Sequence, residues 1–179
     1  MMAEWKTISG RKIASICNEI LRLNEDSPRH IHIGTDAQFR GTKMVFATAV
    51  AVLNPGKGGM AYYRRSAFPG QEYRSLAQKL FKEVELSIEV ATEVSNVLDP
   101  EYHSNIVVHV DANPNVQHSS SDYHRALVGW VAGAGFECVS KPESWCASHV
   151  ADHIANGRNV RDTRIRRKEF PRKKGKKWQ

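Results

Sequence analysis

At 179 residues, with 41% hydrophobic and 25% charged side chains, the chain suits one domain with a core that needs no disulfides. Cys17, Cys138 and Cys146 are odd in number and show neither CxxC nor Cys/His zinc spacing, which argues against a zinc module and predicts reduced thiols used as small core residues. No apolar leader opens the chain and no apolar run approaches the roughly 20 residues of a membrane span, so the expected location is the cytoplasm. The net charge of +7 is concentrated at one end: residues 158–179 hold eleven Lys or Arg against Asp162 and Glu169, and the remainder is slightly acidic. The expected organisation is a folded domain over 1–157 followed by a basic tail over 158–179.

In chain order, Ile13, Ile16, Cys17, Ile20 and Leu21 recur at helical spacing and predict a helix over 9–24, ended by Asn24-Glu-Asp-Ser-Pro28. A first strand is expected over 29–36 and a second over 42–53, through the run Met44-Val-Phe-Ala-Thr-Ala-Val-Ala-Val52. Asn54-Pro-Gly-Lys-Gly-Gly59 reads as a tight reversal, which makes a third strand over 60–66 the hairpin partner of the second. A long helix over 71–98, a fourth strand over 105–111, a helix over 120–132, a fifth strand over 136–140 and a last helix over 143–156 complete the pattern. With the first helix set aside, this is the element order of the ribonuclease H fold. It predicts an α/β protein with a mixed five-stranded sheet, strands one to three antiparallel, four and five parallel to one, and helices on both faces.

Two predicted strands end in an aspartate, Asp36 after His30-Ile-His-Ile-Gly-Thr and Asp111 after Ile106-Val-Val-His-Val. Ligands of open α/β sheets gather beyond the carboxyl ends of the strands, so parallel neighbours would bring Asp36 and Asp111 together there. One strand-end aspartate is more often a turn residue bonding its own backbone; two on adjacent central strands point to a site. The turn-forming Ala-Asn-Pro-Asn after Asp111 would leave its carboxylate open. In the long helix, advancing about 100° per residue from Leu76 puts Glu83 among Leu80, Val84, Ser87 and Ala91, with Glu85 and Glu89 on the opposite, solvated face. A glutamate in an apolar stripe needs a cationic partner or a metal. The last helix adds His149 and Asp152 as an i, i+3 pair, opposite an apolar face of Ala147, Val150, Ala151 and Ile154.

Gly34-Thr-Asp-Ala-Gln38, Lys82-Glu-Val-Glu-Leu-Ser87, His109-Val-Asp-Ala-Asn-Pro114 and Lys141-Pro-Glu-Ser-Trp-Cys-Ala-Ser-His-Val-Ala-Asp152, in this order, resemble the YkuK-type family of ribonuclease H-like proteins. The resemblance covers roughly 5–157 and leaves out the tail. It implies that Asp36, Glu83 and Asp111 stand at the strand-one, helix and strand-four acidic positions of ribonuclease H, and that His149 and Asp152 resemble the His-x-x-Asp of some Holliday-junction resolvases. The chain departs from relatives of that fold in three ways: Gln38 replaces the second acid of proofreading exonucleases, no Asp-Gly opens strand one, and Gly34-Thr35 precedes the aspartate rather than following it as in actin-like ATPases.

The expected function is a divalent-metal-dependent nuclease that hydrolyses phosphodiester bonds in RNA, RNA/DNA hybrid or structured DNA. Two ions, Mg²⁺ or Mn²⁺, would be held by Asp36, Glu83, Asp111 and Asp152, with His149 orienting water or phosphate. Lys141, at the predicted end of strand five, is expected to contact a substrate phosphate. In the tail, Arg164, Arg166, Arg167, Lys168, Arg172, Lys173, Lys174, Lys176 and Lys177 are expected to bind the nucleic-acid backbone, with Trp178 placed to stack on a base. The alternative is a catalytically weak nucleic-acid-binding module that keeps the fold. A phosphotransferase on the actin-like fold lacks the required phosphate-loop pattern.

Overall fold

A computed structural model describes residues 4–25, 27–54 and 58–156. The basic tail, and with it every tail residue expected to contact nucleic acid, lies outside the described residues.

The chain opens not with a helix but with two short strands, β1 (Trp5–Thr7) and β2 (Lys12–Ile13), and helix α1 begins only at Ile16 and runs to Asn24. Gly10 accounts for the difference. Its φ of 89° is left-handed backbone that costs other residues energy, and its N–H bonds to the Thr7 carbonyl at 2.8 Å, closing a reversal inside the expected helix. Ser15 then caps α1, accepting from the Asn18 N–H at 3.4 Å.

Three long strands follow, β3 (His30–Arg40), β4 (Lys43–Asn54) and β5 (Gly58–Pro69). A 3₁₀ turn at Gly70–Tyr73 leads into α2 (Leu76–Ser95), so the long helix starts later and ends earlier than its apolar pattern suggests. Its start is set by a reciprocal cap: Gln78 N–H bonds Ser75 Oγ, and Gln78 Oε1 accepts from Ser75 N–H, both at 3.1 Å. Strand β6 (Ile106–Val110), α3 (Ser121–Gly133) and β7 (Glu137–Ser140) come next. The last helix is not regular: a π-helical stretch at Cys146–Ala151 runs into one turn of α-helix, α4 (Asp152–Ala155).

The sheet has seven strands rather than five, in the order β2-β1-β5-β4-β3-β6-β7. The order differs from the expected one because the N-terminal hairpin docks on β5, with Lys6 opposite Tyr63. In the centre, β3 pairs antiparallel with β4 and parallel with β6, and β6 pairs parallel with β7. Strand β3 also runs past its expected end at Asp36. Its pairing with β6 stops at Gly34 opposite His109, and from there to Arg40 it continues against β4 alone.

Alternation along the central strands separates two cores of different grain. Ile31, Ile33, Val50 and Val52 point to one side, where Leu80, Val84, Val90 and Val94 of α2 and Ile16 and Ile20 of α1 cover them. Ala47, Ala49 and Ala51 point to the other, against Cys146, Ala151, Ile154 and Ala155. Burial on both faces explains why β4 reads as a near-continuous apolar run, interrupted by Thr48. Cys146 is buried, while Cys17 and Cys138 are half-buried beside the larger core, and none is bridged. Among the described residues no helix is long and apolar enough to cross a membrane.

Candidate active site

Beyond the end of the β3–β6 parallel pair, acidic residues from β3, α2, β6 and the last helix come within electrostatic reach of each other. Asp36 lies two residues beyond the last β3–β6 pair, and Asp111 directly follows β6. Both share the strand face of Gly34 and His109, the side covered by the last helix. The Asp36 side chain is 5% exposed and that of Glu83 4%, whereas the Asp111 side chain keeps 18%. The turn after Asp111 is built as its sequence implies: Asn113 Oδ1 accepts from the Asn115 N–H at 2.9 Å, and Ser120 Oγ accepts from the Asn113 N–H at 3.0 Å.

Glu83 reaches the site because α2 is pinned to the sheet one turn further on. Ser87 Oγ lies 2.8 Å from Thr35 Oγ1 and 2.9 Å from the Glu83 carbonyl, two acceptors that share its single proton, and Thr35 Oγ1 in turn donates to Thr48 Oγ1 at 3.0 Å. Glu85 and Glu89 face solvent, paired with Lys82 at 3.0 Å and Arg64 at 3.3 Å.

Two lysines enter this acidic cluster. Lys79 Nζ stands 3.8 Å from Asp36 Oδ1 and 3.5 Å from Glu83 Oε1, and Lys141 Nζ stands 2.9 Å from Asp111 Oδ1. Lys141 thus meets a carboxylate of the cluster in the place where a substrate phosphate was expected. Among the described residues, the buried Asp36 Oδ2 has no hydrogen-bond partner. Burial pushes the Asp36 carboxyl up to about 6; Lys79 pulls it back, while Asp111 and Asp152 push it further. Burial likewise pushes Glu83 up to about 8, opposed by Lys79 and reinforced by Asp36 and Asp111. Burial works to lower the Lys79 pKa, yet the charges of Glu83 and Asp36 outweigh it and hold that pKa above its ordinary value.

The last helix brings Asp152 within electrostatic reach of Asp36, half-buried and accepting from Asn156 Nδ2 at 2.6 Å. His149, in the π-helical stretch, is exposed. Along this altered helix, Cys146, Ala151, Ile154 and Ala155 are buried among the described side chains. The helix is clamped to the sheet from its far end, where Arg40 donates to the Ala155 carbonyl at 3.0 Å and Arg65 donates to that of Ile154.

Sequence reasoning missed Lys79, although its i, i+4 spacing to Glu83 is a readable sign. It also missed a histidine pair on the same face: His32 Nδ1 lies 2.9 Å from His109 Nε2, with the Trp145 ring 5.0 Å and 5.2 Å from the two imidazoles. Burial pushes the His109 pKa down to about 3, with the charge on His32 adding to the shift. Nothing local in either strand announces that pair.

The donor set suits a hard divalent cation. Asp36, Glu83, Asp111 and Asp152 offer only carboxylate oxygens, and the buried, unpartnered Asp36 Oδ2 is the kind of atom such an ion would satisfy. Among the described residues, no three His, Cys, Asp or Glu are grouped at metal-holding spacing as they stand; the ammonium groups of Lys79 and Lys141 are what lies against the acids.

A mixed sheet with one aspartate inside β3, one just after β6 and a buried glutamate on α2 beside them defines a class, and comparison with known families agrees. The family model described as Ribonuclease H-like matches residues 12–156. The chain belongs to that family, which supports a nuclease-type fold. Comparison with curated proteins and with solved structures returned no match.

Proposed function

We propose that the protein is a YkuK-type, divalent-metal-dependent nuclease acting on phosphodiester bonds in RNA, RNA/DNA hybrid or structured DNA. The observation that carries this reading is Asp36: a side chain 5% exposed, with one oxygen unpartnered among the described residues, beside buried Glu83 and facing the charges of Asp111 and Asp152. An apolar fold has no stability reason to gather these groups, since burying like charges costs free energy.

In this proposal Asp36, Glu83, Asp111 and Asp152 would hold Mg²⁺ or Mn²⁺, two ions in all. The cations would supply an activated water and neutralise charge on the leaving oxygen. His149, exposed beside Asp152, orients water or the scissile phosphate. Lys141 contacts a substrate phosphate after exchanging its 2.9 Å contact with Asp111. The basic tail from Arg164 to Lys177 supplies affinity through counterion release.

A second reading, a binding module with little turnover, is favoured by the two lysines that already neutralise the acids. A cleavage panel over single strands, duplexes, hybrids and junctions with Mg²⁺ or Mn²⁺, run beside Asp36→Asn, separates the two. Metal-dependent cleavage lost in Asp36→Asn supports the nuclease; salt-sensitive binding without cleavage of any substrate supports the module.

A further inference from the structure

The two lysines at the acidic cluster are not equivalent. Lys141 meets Asp111, the most exposed of the three central acids, from the loop after β7. Lys79 bridges the two most deeply buried ones, with Nζ 3.8 Å from Asp36 and 3.5 Å from Glu83. One positive charge between two buried carboxylates does electrostatically what a bound cation would do there.

The bridge is also built to open. Both distances exceed the roughly 2.7–2.9 Å of a charge-assisted hydrogen bond, so the attraction is Coulombic and not locked by donor geometry. The Lys79 side chain is 26% exposed, while the carboxylates of Asp36 and Glu83 that it joins are 5% and 4% exposed. It stands in the first turns of α2, one turn before Glu83, and its flexible stem can carry the ammonium into water with no change in the helix. A divalent ion on Asp36 and Glu83 would face that ammonium across a few ångströms of low-dielectric interior, where like charges repel strongly.

We propose that Lys79 is a built-in counter-ion that holds Asp36 and Glu83 together in the metal-free protein and is expelled into solvent when a divalent cation binds. Metal loading is then an exchange of one cation for another. This rests on the reading of these carboxylates as metal ligands.

Lysine labelling tests it on the 179-residue chain. Reductive methylation, followed by mass spectrometry, is run with and without millimolar Mg²⁺, while calorimetry records whether Mg²⁺ binds. Lys82 is the internal reference: it lies on the same helix, is 21% exposed and pairs with Glu85, away from the cluster. The expected result is a several-fold rise in Lys79 labelling relative to Lys82 on adding Mg²⁺, absent in Asp36→Asn, whose cooperative melting transition confirms that it folds. If calorimetry shows binding while Lys79 labelling stays level or falls, the exchange is overturned and the metal reading stands. If the wild-type protein binds no Mg²⁺, the metal reading fails and takes the exchange with it.

Discussion

Thr35 and Ser87 share a 2.8 Å hydrogen bond that ties β3 to α2 in a fully buried setting, one residue from Asp36 and one helical turn from Glu83. Through it the strand-borne and helix-borne acids are held in register. Thr35→Val keeps the β-branched shape, removes the hydroxyl and leaves Ser87 and Thr48 each short of a partner. The expected loss is about 1–3 kcal/mol, read as a lower urea midpoint with an unchanged slope. A variant as stable as the wild type would show that this link carries no weight.

Divalent metal is expected to raise thermal stability, because an ion relieves repulsion among Asp36, Glu83 and Asp111. At a hundredfold excess over its dissociation constant it adds about 2.7 kcal/mol, a shift of several degrees in melting temperature. Asp36→Asn or Asp111→Asn abolishes the response. A melting point indifferent to millimolar Mg²⁺ and Mn²⁺ counts against the carboxylate site.

The pH dependence follows from raised acid pKa values. Glu83 titrates near 8 in the folded protein against 4.5 as its ordinary value, and Asp36 near 6 against 3.8. Between those limits the folded state holds protons that the unfolded chain has released, so these groups stabilise fully at low pH and the benefit fades as pH rises. His109 works the other way, its pKa lowered from 6.5 to about 3, so it costs stability as pH falls below 6.5. The two effects oppose each other in acid, and the clean window is about pH 6.5–8. There the metal-free protein is expected to lose stability with rising pH, by an amount on the order of a few kcal/mol at most. Urea melts across the window check this, and Glu83→Gln should flatten the slope.

Glu83→Gln is expected to abolish metal-dependent cleavage while the protein stays folded. Glu85→Gln, on the solvated face and paired with Lys82, should change stability by no more than about 0.5 kcal/mol and leave turnover intact. Equal losses of activity in both variants would remove Glu83 from the site.

Deleting residues 158–179 is expected to weaken nucleic-acid binding and flatten its salt dependence without removing metal-dependent chemistry, since none of the four acids lies there. Each lost phosphate contact lowers the log–log salt slope by about 0.9 on B-form DNA or about 0.7 on single strands. An unchanged slope would place the binding surface on the folded domain.

The sequence by itself determined what depends on near neighbours in the chain. Period-two and period-3.6 patterns located β3 to β7 and the main helices, and the same angular count placed Glu83 on the buried face of α2 and Glu85 in solvent. Charge counting alone separated the basic tail from the rest. The tertiary structure decided what depends on distances between elements. Ile13 and Ile16 fit a helix by spacing, yet the reversal at Gly10 let residues 5–13 extend the sheet, where β5 offered an unpaired edge. The partners of the acids were equally hidden: Lys141 meets Asp111 from 30 positions away, and His32 meets His109 from 77. Sequence periodicity records which side of an element is buried, because burial acts on each residue through its own helix or strand. Which charge stands opposite which acid is set by packing and crossover connections, and no local pattern encodes it.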